Sequence, residues 1–225
     1  MTDTINVTYQ STSNAYDANQ FLHQIRSQPL FAADFEAASR YTPAELSQFE
    51  YHLANSDLTK FERIELENRI EASGLSHPAH SRLTHCSIAT SPEHAYVFIL
   101  DNKRITDLVL NFLVTTPIRQ IWHNASFDFK HILHHTGRMP ILYEDSQLFA
   151  KCILNHVDTT LATVGLKELA GHKYGTWAIS PDNFDISQMY ESHVLHYAAI
   201  DACATYWLYN SILSHVQEAS SDSET

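Results

Sequence analysis

No apolar run in this chain approaches the roughly 20 residues that a membrane span requires, so an integral membrane protein is not expected. The first ten residues have neither a basic start nor an apolar stretch, so no signal peptide is expected. Cysteine is scarce and scattered. Cys86, Cys152 and Cys203 form no CxxC pair and no zinc pattern, and they read as free thiols of a reducing cytosol. The expected location is therefore the cytoplasm. Basic residues are outnumbered, with 14 Lys plus Arg against 26 acids and a net charge of -12. That balance argues against a protein that grips long duplex DNA by counterion release. It is compatible with one that handles a short nucleic-acid end through bound metals. No internal repeat is visible.

The 225 residues are 44% hydrophobic, enough for one substantial core and one domain. That domain is expected over 17–216, with flexible termini at 1–16 and 217–225. The 15 histidines make net charge sensitive to pH between about 6 and 7. Asp17 and Gln20 fit a capping box, and the spacing of Phe21, Leu22 and Ile25 predicts a helix to about Ser27. Residues 29–36 read as a buried strand. A helical insertion follows over 39–80, with helices near 43–54 and 60–73. Thr42 with Glu45 and Thr59 with Glu62 begin these helices, and Gly74 sits at the second one's end. The insertion's acids with Lys60, Arg63 and Arg69 read as a solvated face; the other reading, from its place right after Glu36 near the mouth of any site, is that it docks a partner or gates a cleft.

Strands are predicted at 83–90 and 95–100 around a turn at Ser91, Pro92, Glu93 and His94, then at 119–123 and 141–143. Helices are predicted at 105–114, 126–135, 146–154, 166–170 and 193–214, with a disordered acidic tail from Glu218. Hairpin strands followed by alternating helices and strands predict a mixed α/β sheet covered by helices.

Four carboxylates lie beside or inside apolar runs, where charged groups rarely sit without partners. Asp34 and Glu36 are two apart on a strand and share a face. Asp128 follows the strand at 119–123, near a helix start. Tyr197 and Asp201 are four apart on a helix and share a face. Two like charges about 4 Å apart cost roughly 4 kcal/mol at an effective dielectric near 20. Hard divalent cations such as Mg²⁺ or Mn²⁺ remove that repulsion, so the pattern reads as a metal-dependent active site.

Asp34 with Glu36, then Asn124, Phe127 and Asp128, then Tyr197 and Asp201 resemble the three motifs of the DnaQ-like (DEDD) 3′–5′ exonuclease superfamily. The resemblance runs from about Asp17 to Ser214, interrupted by the insertion. Glu144 to Leu148 and Gly165 to Ala170 resemble its DEDDy branch, which holds polymerase I proofreading domains and ribonuclease D. It implies a ribonuclease H-like fold, a mixed five-stranded sheet flanked by helices, with the helical insertion after the first strand. It also implies phosphodiester hydrolysis with two divalent cations, Mg²⁺ or Mn²⁺. Asp34 would bridge both. Glu36 and Asp201 would hold the one that activates water, Asp128 would support the second, and Tyr197 would orient or deprotonate the water. Phe35, Asn124 and Phe127 are the implied substrate contacts, with Trp122 as a further wall. Plain core packing is an equal reading of each aromatic.

The superfamily has either a Tyr four residues before the last Asp or a His five before it, and here Tyr197 and His196 both match. On a regular helix Tyr197 lies about 40° from Asp201 and His196 about 140° away. A helix beginning after residue 196 would let His196 reach in as the alternative general base. His131, His134 and His135 share a helix at metal-binding spacing, with a solvated face as the plainer reading. His123 either touches the site or ends its strand. Asp145 either supports the site or caps a helix. The expected substrate is a single-stranded DNA 3′ end, possible proofreading for a polymerase in trans included. RNA, as for ribonuclease D, is the alternative. A catalytically inactive nucleic-acid or partner-binding module is the other.

Overall fold

The computed structural model describes residues 4–71, 78–157, 164–177 and 188–222. One mixed sheet organises them, in the order β1-β4-β3-β2-β5-β6. Its strands are β1 (Thr8–Thr12), β2 (Leu30–Ser39), β3 (Ser81–Ser91), β4 (His94–Ile99), β5 (Arg119–Trp122) and β6 (Tyr143–Asp145). β2, β3 and β4 are antiparallel neighbours, while β5 and β6 follow β2 in parallel. The five strands from β4 to β6 form the expected ribonuclease H-like sheet.

β1 is the correction: the sheet has six strands, because residues placed in a loose N-terminus add to β4 in parallel. Ile5, Val7 and Tyr9 alternate with polar residues and pack onto the core. That period of two was the available signal, in a segment otherwise too polar to read as a strand. The insertion accordingly follows the second strand in the chain.

The helices are α1 (Ala15–Ile25), α2 (Pro43–Asn55), α3 (Lys60–Glu71), α4 (Lys103–Thr115), α5 (Ser126–Thr136), α6 (Ser146–Val157), α7 (Leu166–Tyr174) and α8 (Ser192–Asp222). Asn14, not Asp17, caps α1, accepting from the Tyr16 N–H at 2.7 Å. Asp17 sits inside the first turn, where its charge suits the helix N-terminus. The boxes at Thr42 and Glu45, and at Thr59 and Glu62, form as expected. Gly74 lies outside the described residues. β6 lies two residues later than expected, and α8 continues to Asp222, through the start of the tail read as disordered. Among the described residues, no helix is long and apolar enough to cross a membrane.

Strand alternation divides the core in two. Phe31, Ala33 and Phe35 join Tyr96, Phe98 and Trp122 under α1, α4 and α5. Ala32, Val97, Ile99 and Ile121 face the other way, under α7 and α8. α8 meets the sheet through Ala198, Ala199, Ala202 and Cys203, all fully buried. Small side chains there bring the helix backbone close to β2, and with it whatever α8 carries on that face.

Candidate active site

β2 outlasts its neighbour. Its pairing with β5 ends at Ala32 opposite Ile121, while its pairing with β3 runs on to Ser39. Beyond Ala32 one edge of β2 lacks a partner strand, and the notch so formed holds the site. Asp34 and Glu36 lie there on the face opposite Phe35. α8 supplies Asp201, and one carboxylate oxygen from each of Asp34, Glu36 and Asp201 lies within 4.8 Å of the others. Asp128, 2% exposed in the first turn of α5, fills the open edge itself: its Oδ1 accepts from the Phe35 N–H at 3.1 Å. All four carboxylates therefore meet, three as a tight group and the fourth through the backbone between two of them.

Tyr197 and Asp201 share a face of α8 because the helix has already begun at Ser192. The phenol lies beside Asp201, whose charge is among the causes that shift it. His196 points elsewhere: it is exposed, with its ring centroid 6.0 Å from that of Tyr9. Two further groups reach the same carboxylate. The Trp177 indole N–H donates to Asp201 Oδ1 at 2.6 Å. The Lys167 ammonium lies 3.9 Å from Asp201 Oδ2 and donates to the Tyr197 hydroxyl at 2.6 Å. Trp177 escaped sequence reasoning, since nothing local marks it. Lys167 lay in a quoted stretch without a role.

Burial is the main cause that raises the Asp34, Glu36 and Asp128 carboxyls well above the usual carboxylate range. The neighbouring acids add to it at Asp34 and Glu36, and Lys167 opposes it. Asp201 is raised by burial too, against Lys167, Trp177 and Tyr197, which favour its charged form. The Tyr197 phenol is pushed up by burial first, then by Asp201, Glu36 and Asp34. It is a neutral hydrogen-bonding group at neutral pH.

The donor set is all hard carboxylate oxygen, which fits Mg²⁺ or Mn²⁺. A thermal consequence follows from the raised carboxyls. Between about pH 4, where unfolded carboxyls ionise, and their higher folded values, the folded protein holds protons that the unfolded chain has released. Stability of the metal-free protein therefore falls as pH rises through that window. A bound dication reverses the loss only where the carboxylates are ionised. Mn²⁺ should raise the Tm more at pH 7.5 than at pH 5, read by calorimetry as a difference with and without metal so that the histidines cancel. An equal or larger shift at pH 5 would contradict it.

The junction from β5 to α5 places Asp128. Asn124 has φ 59°, a left-handed conformation that Asn tolerates better than most residues. It is exposed, and its Oδ1 accepts from the Ser126 hydroxyl at 3.2 Å. Asp145 secures the junction. It accepts from the N–H groups of Asn124 at 3.1 Å and Ala125 at 2.9 Å, and from Gln147 at 2.8 Å and Leu148 at 3.3 Å. One carboxylate thus holds the starts of α5 and α6 together. His123 bonds Ser146 Oγ at 2.9 Å and the Val164 carbonyl at 3.1 Å, tying β5 to the segment before α7.

The remaining candidates lie as follows. The Phe35 ring is buried in the core, 5.8 Å from the Trp122 ring, and Trp122 is itself fully buried. Both rings take the core-packing reading. Phe127 is half-buried, 5.0 Å from the His131 ring. His131 is buried and reaches Ser81 Oγ at 3.4 Å, whereas His134 and His135 are exposed. Among the described residues, the group with metal-ligand spacing is the carboxylate trio.

No protein-family model and no curated protein matches the chain. Solved structures do. Escherichia coli RNase D, described as an exoribonuclease involved in structured RNA processing, matches 95% of this chain at 13% identity with a TM-score of 0.60. The chain spans 46% of that protein's length. Brucella melitensis NrnC bound to pGG matches 97% of it at 18% identity with a TM-score of 0.57, over 84% of NrnC, and NrnC has also been solved with bound Mg²⁺. The catalytic core of RRP6 from Trypanosoma brucei matches 98% at 11% identity with a TM-score of 0.63, over 52% of that chain. At such identities the likeness is one of fold: this chain has the ribonuclease H-like α/β fold that RNase D, NrnC and RRP6 share.

Proposed function

We propose that this chain is a metal-dependent 3′–5′ exonuclease that removes nucleotides from single-stranded nucleic-acid ends, RNA before DNA. The observation that carries it is the trio of Asp34, Glu36 and Asp201, with carboxylate oxygens within 4.8 Å of one another in a notch of the sheet. Those three would hold one divalent cation. Asp128, next to them through Phe35, would support a second together with Asp34. Such ions activate water and stabilise the attacking and leaving oxygens of phosphodiester hydrolysis. Tyr197, beside Asp201, would orient the water. Asp201 presents a fixed carboxylate, because Trp177 occupies its Oδ1. Asn124 and Phe127, at the start of α5, would meet the terminal nucleotide.

RNA ranks first because RNase D is described as an exoribonuclease and NrnC has been solved with pGG. Proofreading for a polymerase, expected from the resemblance, has no counterpart in those descriptions. The test uses 5′-labelled RNA and DNA oligonucleotides with Mg²⁺ or Mn²⁺. A ladder losing one nucleotide at a time, faster on RNA, is the expected result. Faster loss from DNA would restore the DNA end. Binding without degradation of either polymer would leave an inactive binding module and sink the enzyme.

A further inference from the structure

Lys167 has no part in the two-metal scheme, yet its ammonium is the cation set against the carboxylates. It is carried by α7, whose place over α8 is fixed independently. The Tyr174 hydroxyl bonds the Cys203 carbonyl at 3.0 Å and the Pro92 carbonyl at 2.8 Å, and Ala170 is fully buried. From that position the ammonium donates to the Tyr197 hydroxyl at 2.6 Å and stands 4.5 Å from the centre of its ring. An ammonium only donates, so the phenol oxygen must accept there. The phenol's own proton must then point away from Lys167, on the side of the carboxylates.

The 2.6 Å bond and the ammonium over the ring together restrict the phenol's hydroxyl rotor. The plainer account, an ion pair with Asp201, is weak: the separation is 3.9 Å and the lysine side chain is 43% exposed. Exposed pairs of that kind contribute about 0–1 kcal/mol. The short contact is the one to the neutral phenol.

We propose that Lys167 is a positioning residue: by occupying the acceptor side of the Tyr197 hydroxyl it turns the phenol proton toward the carboxylates and so sets the direction from which Tyr197 holds the attacking water. The assignment rests on the nuclease reading above. It needs no new chemistry, and it predicts that the effect of Lys167 on the rate runs through Tyr197.

The test compares wild type, Lys167→Met, Lys167→Arg, Tyr197→Phe and the Met/Phe double variant on a labelled oligonucleotide, with Mn²⁺ binding by calorimetry and Tm for each. Lys167→Met should lower kcat about ten- to hundredfold, the scale of a misplaced reacting group. KM should stay within about twofold, because no substrate contact is removed. The double variant should be no slower than Tyr197→Phe, since residues acting as a unit are not additive. Arg should recover part of the rate, its fork offering a donor in a different geometry. Mn²⁺ should bind the Met variant at least as tightly as wild type, one competing cation having been removed. Three results would overturn the assignment: a kcat within twofold of wild type, losses that multiply in the double variant, or weaker Mn²⁺ binding in step with the lost rate. A wild type that cleaves no end while binding Mn²⁺ would fail the nuclease reading first and this one with it.

Discussion

Asp34→Asn is expected to abolish cleavage, by at least about a thousandfold, while making the metal-free protein more stable. The rate follows from the number of tasks at one carboxylate. Asp34 is a member of the trio and is also the group that Asp128 would share a cation with, and metal stabilisation of the transition state is worth several kcal/mol. The stability follows from repulsion. Two ionised carboxylates with oxygens within 4.8 Å of each other cost at least about 3 kcal/mol at an effective dielectric near 20. Part of that is already relieved, because burial keeps these carboxyls protonated to higher pH. An amide of the same shape should still yield about 1 kcal/mol, or roughly 2–4 °C in Tm for a domain of this size. Thermal melts in chelator and single-turnover assays check the pair. A lower Tm, or retained activity, would show that Asp34 is part of the scaffold and not of a metal site.

Asp145→Ala has the largest expected effect on folding, although Asp145 touches no member of the trio. Its two oxygens accept from four backbone N–H groups at the starts of α5 and α6. Losing a cap typically costs about 1 kcal/mol, and buried donors left unpaired cost more. Here two caps go together, and the left-handed turn at Asn124 loses its anchor. We expect a loss of about 2–4 kcal/mol, read by urea denaturation. The rate should fall as well, because the same turn aims Asp128 at Phe35. Asp145→Asn should lie between, keeping one acceptor and placing an amide against the Ala125 N–H. An alanine variant with wild-type stability would mean that Ser146, through its bond to the Trp122 carbonyl at 3.0 Å, is enough to hold the junction.

What could be read from the chain divides by range. Asp34 and Glu36 were legible because a strand repeats every two residues, and Tyr197 and Asp201 because a helix brings i and i+4 together. The choice between Tyr197 and His196 needed one fact that sequence left open, the start of α8, and Ser192 settles which side chain faces the carboxylates. The dual reading of Asp145 does not resolve to one side: it caps α6 and also holds the junction that places Asp128. Trp177 and Lys167 were not legible as site residues. Their roles exist because α7 and the residues just after it pack against α8, and no local pattern encodes that packing. β1 was missed for a different reason: a polar edge strand buries little and so resembles a loop. Its alternating Ile5, Val7 and Tyr9 were the only mark of it.

The notch beside β2 has one more consequence. An unpaired stretch of strand edge is an invitation to a strand from another molecule. Here the edge is plugged by a side chain, Asp128, whose carboxylate takes the Phe35 N–H that an intruding strand would use. The residue read as a metal ligand is thus also a stopper against self-association. Removing it would expose both a hungry amide and a length of open sheet, so the cost of losing Asp128 should show first as aggregation.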